Sequence, residues 1–369
     1  MCRPDFVSLQ IDNMPKVALF YDWLNQWGGA EQVLLDLIKI YPDAPVYTLV
    51  YDPKKTHWLP KNIKIVSSFI NKLPNSKSNP IYYTPLYSLA LEQFDFSQYD
   101  IVISTTSTIG HCFLTLPSTM YICYFHNINR HLYSKKYLKF YQNIDKVFIN
   151  RPDYYLCNSH TVQKRLHDTY DINSQIIYPG IDTNFFTPSK NPQKNYFLIV
   201  SRLVPHKKID LAISACGQLG LNLRIIGTGR HLPYLKKIAN KFQNITFLNN
   251  VSDKELRSQY QHCRALICPQ EEDFGLTAIE AQACGKPVIA YNKGGFTETI
   301  IPNSTGLFFN KPTVNSLIDA LKLFPQHQFN PINCQNQAKK FSSKNFMLNF
   351  KRTINRLWQE YNLPPKTTI

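Results

Sequence analysis

A repeated order of short β-rich run, turn and helix-period segment extends through most of this 369-residue chain and constrains its fold more than any other feature. Strands that alternate with helices form parallel βαβ units, in which helices cover both faces of the sheet. In the helix that follows the first run, apolar residues recur every three or four positions from Ala30 to Tyr41, which places them on one face. The first series of strands is predicted at residues 16–21, 46–50, 63–66, 100–104, 120–125, 154–157 and 175–178.

The alternation stops in a polar, turn-rich stretch at residues 178–192 and then begins again. The second series of strands is predicted at residues 196–200, 223–226, 245–248, 265–268, 288–291 and 306–309. We therefore predict an α/β protein with two Rossmann-like, doubly wound domains that face a central cleft. Ligands of open α/β sheets bind at the carboxyl ends of the strands, which places the predicted site in this cleft.

The break in the pattern sets the predicted domain bounds. Residues 1–14 form an N-terminal extension, residues 15–182 the first Rossmann-like domain and residues 183–342 the second. Residues 343–369 carry a last helix after the second sheet is complete, and the first domain is a candidate surface for it to pack on. Met14 immediately precedes the first strand, so a translation start there is the alternative to a disordered extension.

Composition excludes several classes of protein and leaves the partner open. The aromatic content of 13% argues against a disordered chain, and nine scattered cysteines without a Cys-x-x-Cys pair argue against a disulfide scaffold or a structural zinc site. With no apolar run long enough to span a membrane and no apolar signal segment, a cytoplasmic protein is predicted. The formal net charge of +16 favours anionic partners: nucleic acid, phosphorylated metabolites or an acidic membrane surface.

A basic segment follows the strand predicted at 196–200 and opens a helix. In the sequence from Ser201 to Lys208, Arg202 and Lys207 are five residues apart, so a loop can turn both side chains toward one point. A guanidinium group and an ammonium group beside a helix N-terminus suit a diphosphate. The alternative is a solvated basic loop, which is the commoner explanation for isolated residues of these types.

An acidic segment from Glu271 to Glu280 follows the strand predicted at 265–268. Glu272 lies in the loop, and Glu280 lies two turns into the helix predicted to start near Gly275. Carboxylates in these places can accept hydrogen bonds from sugar or ribose hydroxyls, while the backbone N–H groups of residues 274–277 face an anion. Acidic capping of the helix is the alternative for Glu272, but it does not explain a carboxylate as deep in an apolar helix as Glu280.

Two further features border the predicted cleft. Glycines follow several predicted strands, at Gly28-Gly29, Gly227-Thr228-Gly229 and Gly294-Gly295, but they form neither a G-x-G-x-x-G sequence nor a P-loop. Nicotinamide and ATP sites therefore lose support. His126 ends the strand predicted at 120–125 and points toward the cleft, with a purely structural role as the alternative.

The segment after His126 leaves two interpretations open. Aromatic and apolar residues recur on one helical face, while lysines at 135, 136 and 139 lie elsewhere. The pattern describes either a core-facing helix, which we favour, or a basic amphipathic surface for anionic lipid. The residues of the apolar face are Tyr133, Tyr137, Phe140, Tyr141 and Ile144.

Taken together, these motifs resemble the retaining glycosyltransferases of family 4, which have the GT-B fold of two Rossmann domains. The matching residues are Gly28-Gly29-Ala30-Glu31, His126, Asn158-Ser159, Pro179-Gly180-Ile181-Asp182, Ser201-Arg202 with Lys207, Glu272 with Glu280, and Gly294-Gly295 with Glu298. The resemblance covers about residues 15–360, and the stretch from Glu272 to Tyr291 is its most specific part. That stretch is similar to the GDP-mannose-dependent mannosyltransferases of O-antigen or capsule synthesis.

The resemblance implies a role for each of these residues. Arg202 and Lys207 would neutralise the departing diphosphate, Glu280 would hold the ribose and Glu272 the donor sugar, and His126 would lie beside the reacting sugar. The implied catalytic residues are His126, Arg202, Lys207 and Glu272. The implied nucleotide-sugar site consists of Gly28, Gly29, Arg202, Lys207, Val251, Phe274, Gly275, Leu276, Thr277 and Glu280.

The resemblance also implies the partners. The first domain would bind a saccharide acceptor, which we expect to be lipid-linked, and the second the nucleotide sugar, with GDP-mannose ranked first. No Asp-x-Asp occurs in the chain, so no metal and no other cofactor is expected. The net charge fits a peripheral position at the inner face of the cell membrane.

Three alternatives remain open at this point. A UDP-sugar-dependent transferase would keep the fold and the mechanism, whereas a scaffold without turnover is opposed by the intact Arg202, Lys207, Glu272 and Glu280. A nucleic-acid-binding protein would use the charge, but the sequence carries no known module, so no nucleic acid partner is expected. His126-Asn127-Ile128-Asn129-Arg130 replaces the usual His-Thr-Pro-Met-Arg of the family, which changes the residues on the acceptor side.

Overall fold

The structure is a computed structural model that describes residues 15–133, 139–191, 194–249 and 251–363. The predicted extension at 1–14 therefore lies outside the described residues, as do Tyr137 and two of the three lysines of the amphipathic segment. Within the described part, the strands form two separate parallel sheets, one in each half of the chain.

The first sheet has seven strands in the order β3-β2-β1-β4-β5-β6-β7. Its strands are β1 (Val17–Leu24), β2 (Val46–Tyr51), β3 (Ile65–Ser67), β4 (Ile101–Thr106), β5 (Met120–Phe125), β6 (Tyr154–Cys157) and β7 (Gln175–Ile176). Its helices are α1 (Gly29–Ile40), α2 (Tyr87–Glu92), α3 (Arg130–Tyr133), α4 (Lys139–Phe148) and α5 (His160–Tyr170), with 3-10 turns at Phe69–Lys72 and Pro80–Leu86.

The second sheet has six strands in the order β10-β9-β8-β11-β12-β13. Its strands are β8 (Phe197–Val200), β9 (Leu223–Ile226), β10 (Ile245–Leu248), β11 (Leu266–Cys268), β12 (Val288–Tyr291) and β13 (Gly306–Phe309). The helices are α6 (Ile209–Gln218), α7 (Leu232–Ala239), α8 (Asp253–His262), α9 (Leu276–Ala283), α10 (Phe296–Thr299), α11 (Val314–Leu323), α12 (Pro331–Lys340) and α13 (Ser343–Tyr361), with 3-10 turns at Pro205–Lys207 and Phe324–Gln326.

Both sheets reverse their strand order beside the first strand, between β1 and β4 and between β8 and β11. Such a reversal opens a crevice at the carboxyl ends of the strands, where open α/β sheets bind ligands. Helices cover both faces of the central strands, so β4 and β5 are buried along their whole length, including the three hydroxyl residues that end β4. The predicted fold class, two Rossmann-like domains of the GT-B type, is thus confirmed.

The two halves are joined at two places that lie side by side. The backbone at Ile181 pairs with Ser342, and Tyr178 and Phe341 pack together near them. The chain then returns to the first half, where α13 buries Phe346, Phe350 and other apolar residues in the same core as β1 and α1. The last helix therefore packs on the N-terminal sheet.

The thirteen predicted strands are all present with small shifts at their ends, but the segment after His126 differs from the prediction. It forms two helices, α3 and α4, around residues outside the described part. The favoured interpretation, a core-facing aromatic stripe, is wrong for Phe140 and Tyr141, whose side chains are exposed. For Phe140 the reason lies in the next turn, where the buried carboxylate of Asp145 fixes the inward face of α4. Tyr141 shares the face of Asp145 and is exposed at the edge of a small groove.

Candidate functional site

A cavity lies between the two halves, at the carboxyl ends of the central strands. Its volume is about 650 Å³, a size that suits a small-molecule ligand. The first half contributes the loop after β1 and the start of α1, and the second half contributes the loops after β8, β9 and β10 and the start of α9. The predicted site residues in its wall are Gly28, Gly29, Arg202, Val251, Leu276, Thr277 and Glu280.

Gly29 brings the two halves into close contact across this cavity. A Cβ atom at this position would lie 2.9 Å from Leu276 Cδ1, so a larger residue would require the Leu276 side chain to shift. Nearby, the buried carboxylate of Glu31 accepts a 2.7 Å hydrogen bond from the Tyr21 hydroxyl. Burial raises the pKa of Glu31, while the Tyr21 hydrogen bond and the positive charge of Arg202 act to lower it. The electrostatic influence of Arg202 therefore reaches across the cleft.

The loops after β8 and β9 pack directly on each other. Gly227 has φ +141°, and a Cβ atom there would overlap the carbonyl oxygen of Ser201. Only glycine combines that backbone angle with so close an approach. The contact fixes the backbone on which Arg202 lies and places both loops in the cavity wall.

Lys207 and Glu272 form an ion pair beside the cavity. The Lys207 ammonium group donates to Glu272 Oε1, and the side chains are only 10% and 22% exposed. The Gln270 amide donates to the same oxygen over 2.9 Å. Burial alone would raise the pKa of Glu272, but the Lys207 charge and these hydrogen bonds hold it below its usual value of 4.5. Two residues that the sequence assigns to different parts of a donor are therefore paired with each other.

Glu280 also lines the cavity, in a different environment. Its carboxylate accepts a 2.6 Å hydrogen bond from the Tyr260 hydroxyl. Burial raises the pKa of Glu280 to about 7, with a further contribution from the negative charge of Asp253. Asp253 and Val251 line the same end of the cavity, although residue 250 is outside the described part. Glu280 is the fifth residue of α9, slightly earlier in the helix than predicted.

The N-terminus of α9 faces the cavity through Leu276 and Thr277. No side chain caps this end at Gly275, so the first backbone N–H groups keep their capacity for a ligand. Phe274 is buried and stacks on Tyr178. Phe274 and Gly275 thus hold the start of the helix, and neither is part of the cavity wall in the described chain.

His126 is placed differently from the other predicted site residues. It is buried at the end of β5, where its Nε2 lies 2.6 Å from the Thr105 hydroxyl. Burial lowers the pKa of His126 to about 3, so the imidazole is neutral near pH 7. Along the described chain, the cavity wall includes neither His126 nor the Lys207–Glu272 pair.

A cross-cleft cluster links the two halves next to Glu272, and the sequence patterns missed it. Arg165 on α5 bonds both Glu271, over 2.7 Å, and Asp273, and Arg130 also bonds Asp273. Asn127 donates to Asp273 over 3.0 Å. Glu271 and Asp273 flank Glu272 in the sequence, so this cluster ties the Glu272 loop to the strand end that carries His126. Arg165 lies on a helix without any motif, which is why no sequence signal marked it.

The arrangement can bind a molecule that carries both an anion and hydroxyl groups. Arg202 and the N-terminus of α9 offer positive charge and N–H donors, while Glu280 and Asp253 offer acceptors. In the described residues, a group of three potential metal ligands occurs at His111, Cys112 and Asp145, which are buried in the first half and absent from the cavity wall. No described helix has the length and apolar character needed to cross a bilayer.

Comparisons with known proteins match both halves. The model described as "Glycosyltransferase Family 4" matches residues 27–185, and the model described as "Glycosyl transferases group 1" matches residues 180–341. Two solved structures share the fold. Sucrose-phosphate synthase from Thermosynechococcus elongatus has a TM-score of 0.75 and 17% identity over 93% of this chain and 100% of that chain. Anabaena HepE in complex with UDP and glucose has a TM-score of 0.69 and 18% identity over 93% of this chain and 100% of that chain.

Curated relatives align over shorter stretches. An uncharacterized glycosyltransferase of Methanocaldococcus jannaschii is 29% identical over 52% of this chain and 55% of its own length. The GDP-mannose-dependent alpha-(1-6)-phosphatidylinositol monomannoside mannosyltransferase of Mycobacterium tuberculosis is 32% identical over 40% and 45%. The O-antigen chain mannosyltransferase RfbU of Salmonella typhimurium is 28% identical over 69% and 74%. The chain spans about half the length of the first two relatives.

Proposed function

Because this chain belongs to the glycosyltransferases of family 4, we propose that it transfers a mannosyl residue from GDP-mannose, with retention at the anomeric carbon, to a growing lipid-linked envelope polysaccharide. The observation that carries the proposal is the cleft cavity, which combines Arg202, the uncapped N-terminus of α9 and the carboxylate of Glu280. The mannosyltransferase names among the relatives support the choice of sugar.

The donor's diphosphate would lie at the positive part of the cavity. Charge develops on the diphosphate as the sugar leaves, so Arg202 and the N–H groups of α9 would stabilise the transition state more than the ground state. Lys207 would join them by exchanging its Glu272 partner for a phosphate oxygen. Glu272, thus released, would accept hydrogen bonds from hydroxyls of the donor sugar.

The nucleoside would lie at the opposite end. Glu280 would accept hydrogen bonds from the ribose hydroxyls, in place of or beside the one from the Tyr260 hydroxyl. Asp253 offers a carboxylate at the same end, and guanine presents two adjacent donors, its N1–H and its amino group, that match a carboxylate. Uracil has no such pair, so this geometry favours a GDP donor.

The neutral His126 and the acceptor side complete the proposed mechanism. A buried imidazole with a low pKa cannot supply a proton near pH 7, so His126 would position the reacting sugar rather than protonate it. A phosphate oxygen of the donor would take the proton of the acceptor hydroxyl. The proposal includes no metal at the site and a position at the cytoplasmic face of the cell membrane.

A UDP-sugar donor is the second candidate, because the similar Anabaena structure holds UDP and glucose. Thermal shift measurements with GDP, UDP, ADP and their sugar conjugates, before and after EDTA, separate the two. A ligand at 100 times its dissociation constant stabilises by about 2.7 kcal/mol. A shift selective for GDP that survives EDTA supports the proposal, and a shift selective for UDP replaces the donor.

The variant Asp253→Asn sharpens this test. It should weaken the GDP shift about tenfold in apparent affinity, since an amide cannot accept from both guanine donors, and leave any UDP shift unchanged. Lys254→Met, an exposed change at the next residue, serves as the control. NMR of the anomeric proton in the product then decides between retention and inversion.

A further inference from the structure

Gln270 is a buried polar residue beside the Lys207–Glu272 pair, in the loop that follows β11. It is only 3% exposed. Its amide group donates a 2.9 Å hydrogen bond to Glu272 Oε1, the oxygen that also accepts from Lys207. An ionised carboxylate can only accept, so the donor is Nε2 and the other atom of the amide is its oxygen, Oε1. The bond to Glu272 therefore fixes the orientation of the amide.

That orientation leaves Gln270 Oε1 buried and without a hydrogen-bond partner among the described residues. An unpaired buried oxygen destabilises a fold, and an apolar side chain of similar shape would avoid this loss. Native proteins contain few such groups, and each needs an explanation. Departures of this kind are expected mainly at functional sites, where stability is not the only requirement.

Other buried glutamines with an unpaired Oε1 have a different function in the fold. Gln282 and Gln337 both donate to the backbone carbonyl of Thr299, which ties α9 and α12 to the end of α10. Neither of them lines the cleft cavity. Gln270 instead donates to a charged side chain of the proposed donor site. Its hydrogen bond orients a carboxylate and does not join helices.

The backbone at Glu272 is held independently of these side chains. Its carbonyl oxygen accepts a 2.9 Å hydrogen bond from the N–H of Gly295, and its backbone pairs with that of Gly294. The side-chain torsions of Glu272 are not determined by these contacts. The hydrogen bonds from Lys207 and Gln270 determine them, and both bonds end at Oε1.

The two donors to Oε1 would behave differently when the nucleotide sugar binds. Lys207 would leave Glu272 for a phosphate oxygen, as the proposed function requires. A glutamate side chain without partners has several rotamers, and ordering it again for the sugar would weaken binding. Gln270 would stay on Oε1 and leave Oε2 to accept from a sugar hydroxyl. The carboxylate would thus keep its direction when its charged partner departs.

We propose that Gln270 is a positioning residue that holds the Glu272 carboxylate ready for the transferred sugar of the donor. It acts through Glu272, because it is buried and does not line the cavity. The inference rests on the proposed function, which supplies the sugar-binding role of Glu272. It follows that Gln270 should matter for the complete nucleotide sugar and not for the free nucleoside diphosphate.

The test is titration calorimetry of the full chain with GDP and with GDP-mannose, without acceptor. Gln270→Met should bind GDP-mannose about tenfold more weakly, which corresponds to one hydrogen bond to a charged group, and GDP within about twofold of the unaltered protein. The ligand-free variant should melt within about 2 °C of the unaltered protein, because the unpaired oxygen is removed together with the hydrogen bond. The control Gln337→Met removes a buried amide of the same kind and should change neither affinity.

Two further measurements separate positioning from a general structural effect. The double variant Gln270→Met/Glu272→Gln should bind GDP-mannose no more weakly than Glu272→Gln alone, since Gln270 acts through Glu272. As the pH is lowered, Gln270→Met should lose GDP-mannose affinity at a higher pH than the unaltered protein. The reason is that the hydrogen bond from Gln270 helps to lower the pKa of Glu272.

The outcomes distinguish this inference from the proposed function. An unchanged GDP-mannose affinity in Gln270→Met, or an equal loss for GDP, overturns the positioning role and leaves the proposed function intact. An additive loss in the double variant also overturns it. If Glu272→Gln binds GDP-mannose as the unaltered protein does, or if the unaltered protein does not bind it, the proposed function fails and this inference fails with it.

Discussion

The ion pair between Lys207 and Glu272 leads to a prediction about stability that the sequence motifs of these two residues do not contain. In Lys207→Met, the Glu272 carboxylate keeps its burial but loses a charged hydrogen bond, which contributes about 1.5–3 kcal/mol in such settings. A fully buried pair would cost more, but Glu272 is 22% exposed, so we expect a loss of about 2 kcal/mol. For a domain of this size that corresponds to about 4–8 °C in Tm.

The double-mutant cycle with Glu272→Gln isolates the pair. Each single variant should be destabilised, and Lys207→Met/Glu272→Gln should recover part of the loss, giving a coupling energy of about 1–2 kcal/mol. Lys254→Met removes an exposed charge from the same half and serves as the control. Urea unfolding without ligand measures the four proteins of the cycle and the control.

The pH dependence has a definite sign. Because the folded protein holds the pKa of Glu272 below 4.5, the pair stabilises the fold above that pH, and the contribution is lost as the pH falls through the folded-state pKa. The difference between the unaltered protein and Lys207→Met should therefore be full at pH 7 and shrink below pH 4. If Lys207→Met unfolds like Lys254→Met at pH 7, the pair contributes nothing and the reasoning is refuted.

Three other predictions follow from the geometry. Burial raises the folded-state pKa of Glu280 to about 7, so the folded state binds an extra proton and loses stability as the pH rises from about 5 to 7. Glu280→Gln should remove this loss. Urea unfolding across pH 5–8 measures the slope of stability against pH, and an unchanged slope would contradict the prediction. Arg165→Met should lower kcat about tenfold, because it breaks the cross-cleft contacts. It should also increase the radius of gyration measured by small-angle scattering. The control Lys164→Met should leave both quantities unchanged. Gly227→Ala should lower the free energy of unfolding by about 3 kcal/mol. The control Gly220→Ala, at φ +64° with open space around it, should lower it by about 1 kcal/mol. Equal melting temperatures for the two variants would show that the Ser201 contact is not tight.

The fold was predictable because its signals are local. Most strands are short runs rich in apolar residues, and many are followed by a turn with glycine, proline or asparagine, so thirteen strands could be predicted from the chain in order. Parallel pairing then followed from the alternation with helices. The return of α13 to the first sheet could be named as a candidate, because a helix remains in the sequence after the second sheet is complete, and the structure shows its packing there. The close packing of Gly29 on Leu276 has no local pattern and needed the structure.

The candidate site divides in the same way. Arg202 and Glu280 could be chosen because each stands in a recognisable segment at a strand end, and the structure places both in one cavity wall. The residues that pair with Glu280 and with Lys207 could not be predicted from the sequence. Tyr260 lies 20 residues from Glu280, and Lys207 and Glu272 are 65 residues apart. Which groups meet depends on the strand order of the second sheet, in which β8 and β11, the strands before Lys207 and Glu272, are neighbours.

The difference between local patterns and long-range contacts also explains why the prediction for the segment after His126 was wrong. Its periodicity describes a helix with an aromatic stripe, and periodicity cannot tell whether the stripe or its back faces the core. A single buried carboxylate decides it: Asp145 collects His111, Tyr133 and Tyr170 from three separate segments and turns α4 so that Phe140 points outward. Burying Asp145 without those partners would cost several kcal/mol, whereas exposing Phe140 costs about 2 kcal/mol of apolar burial. The polar network therefore determines the orientation of the helix.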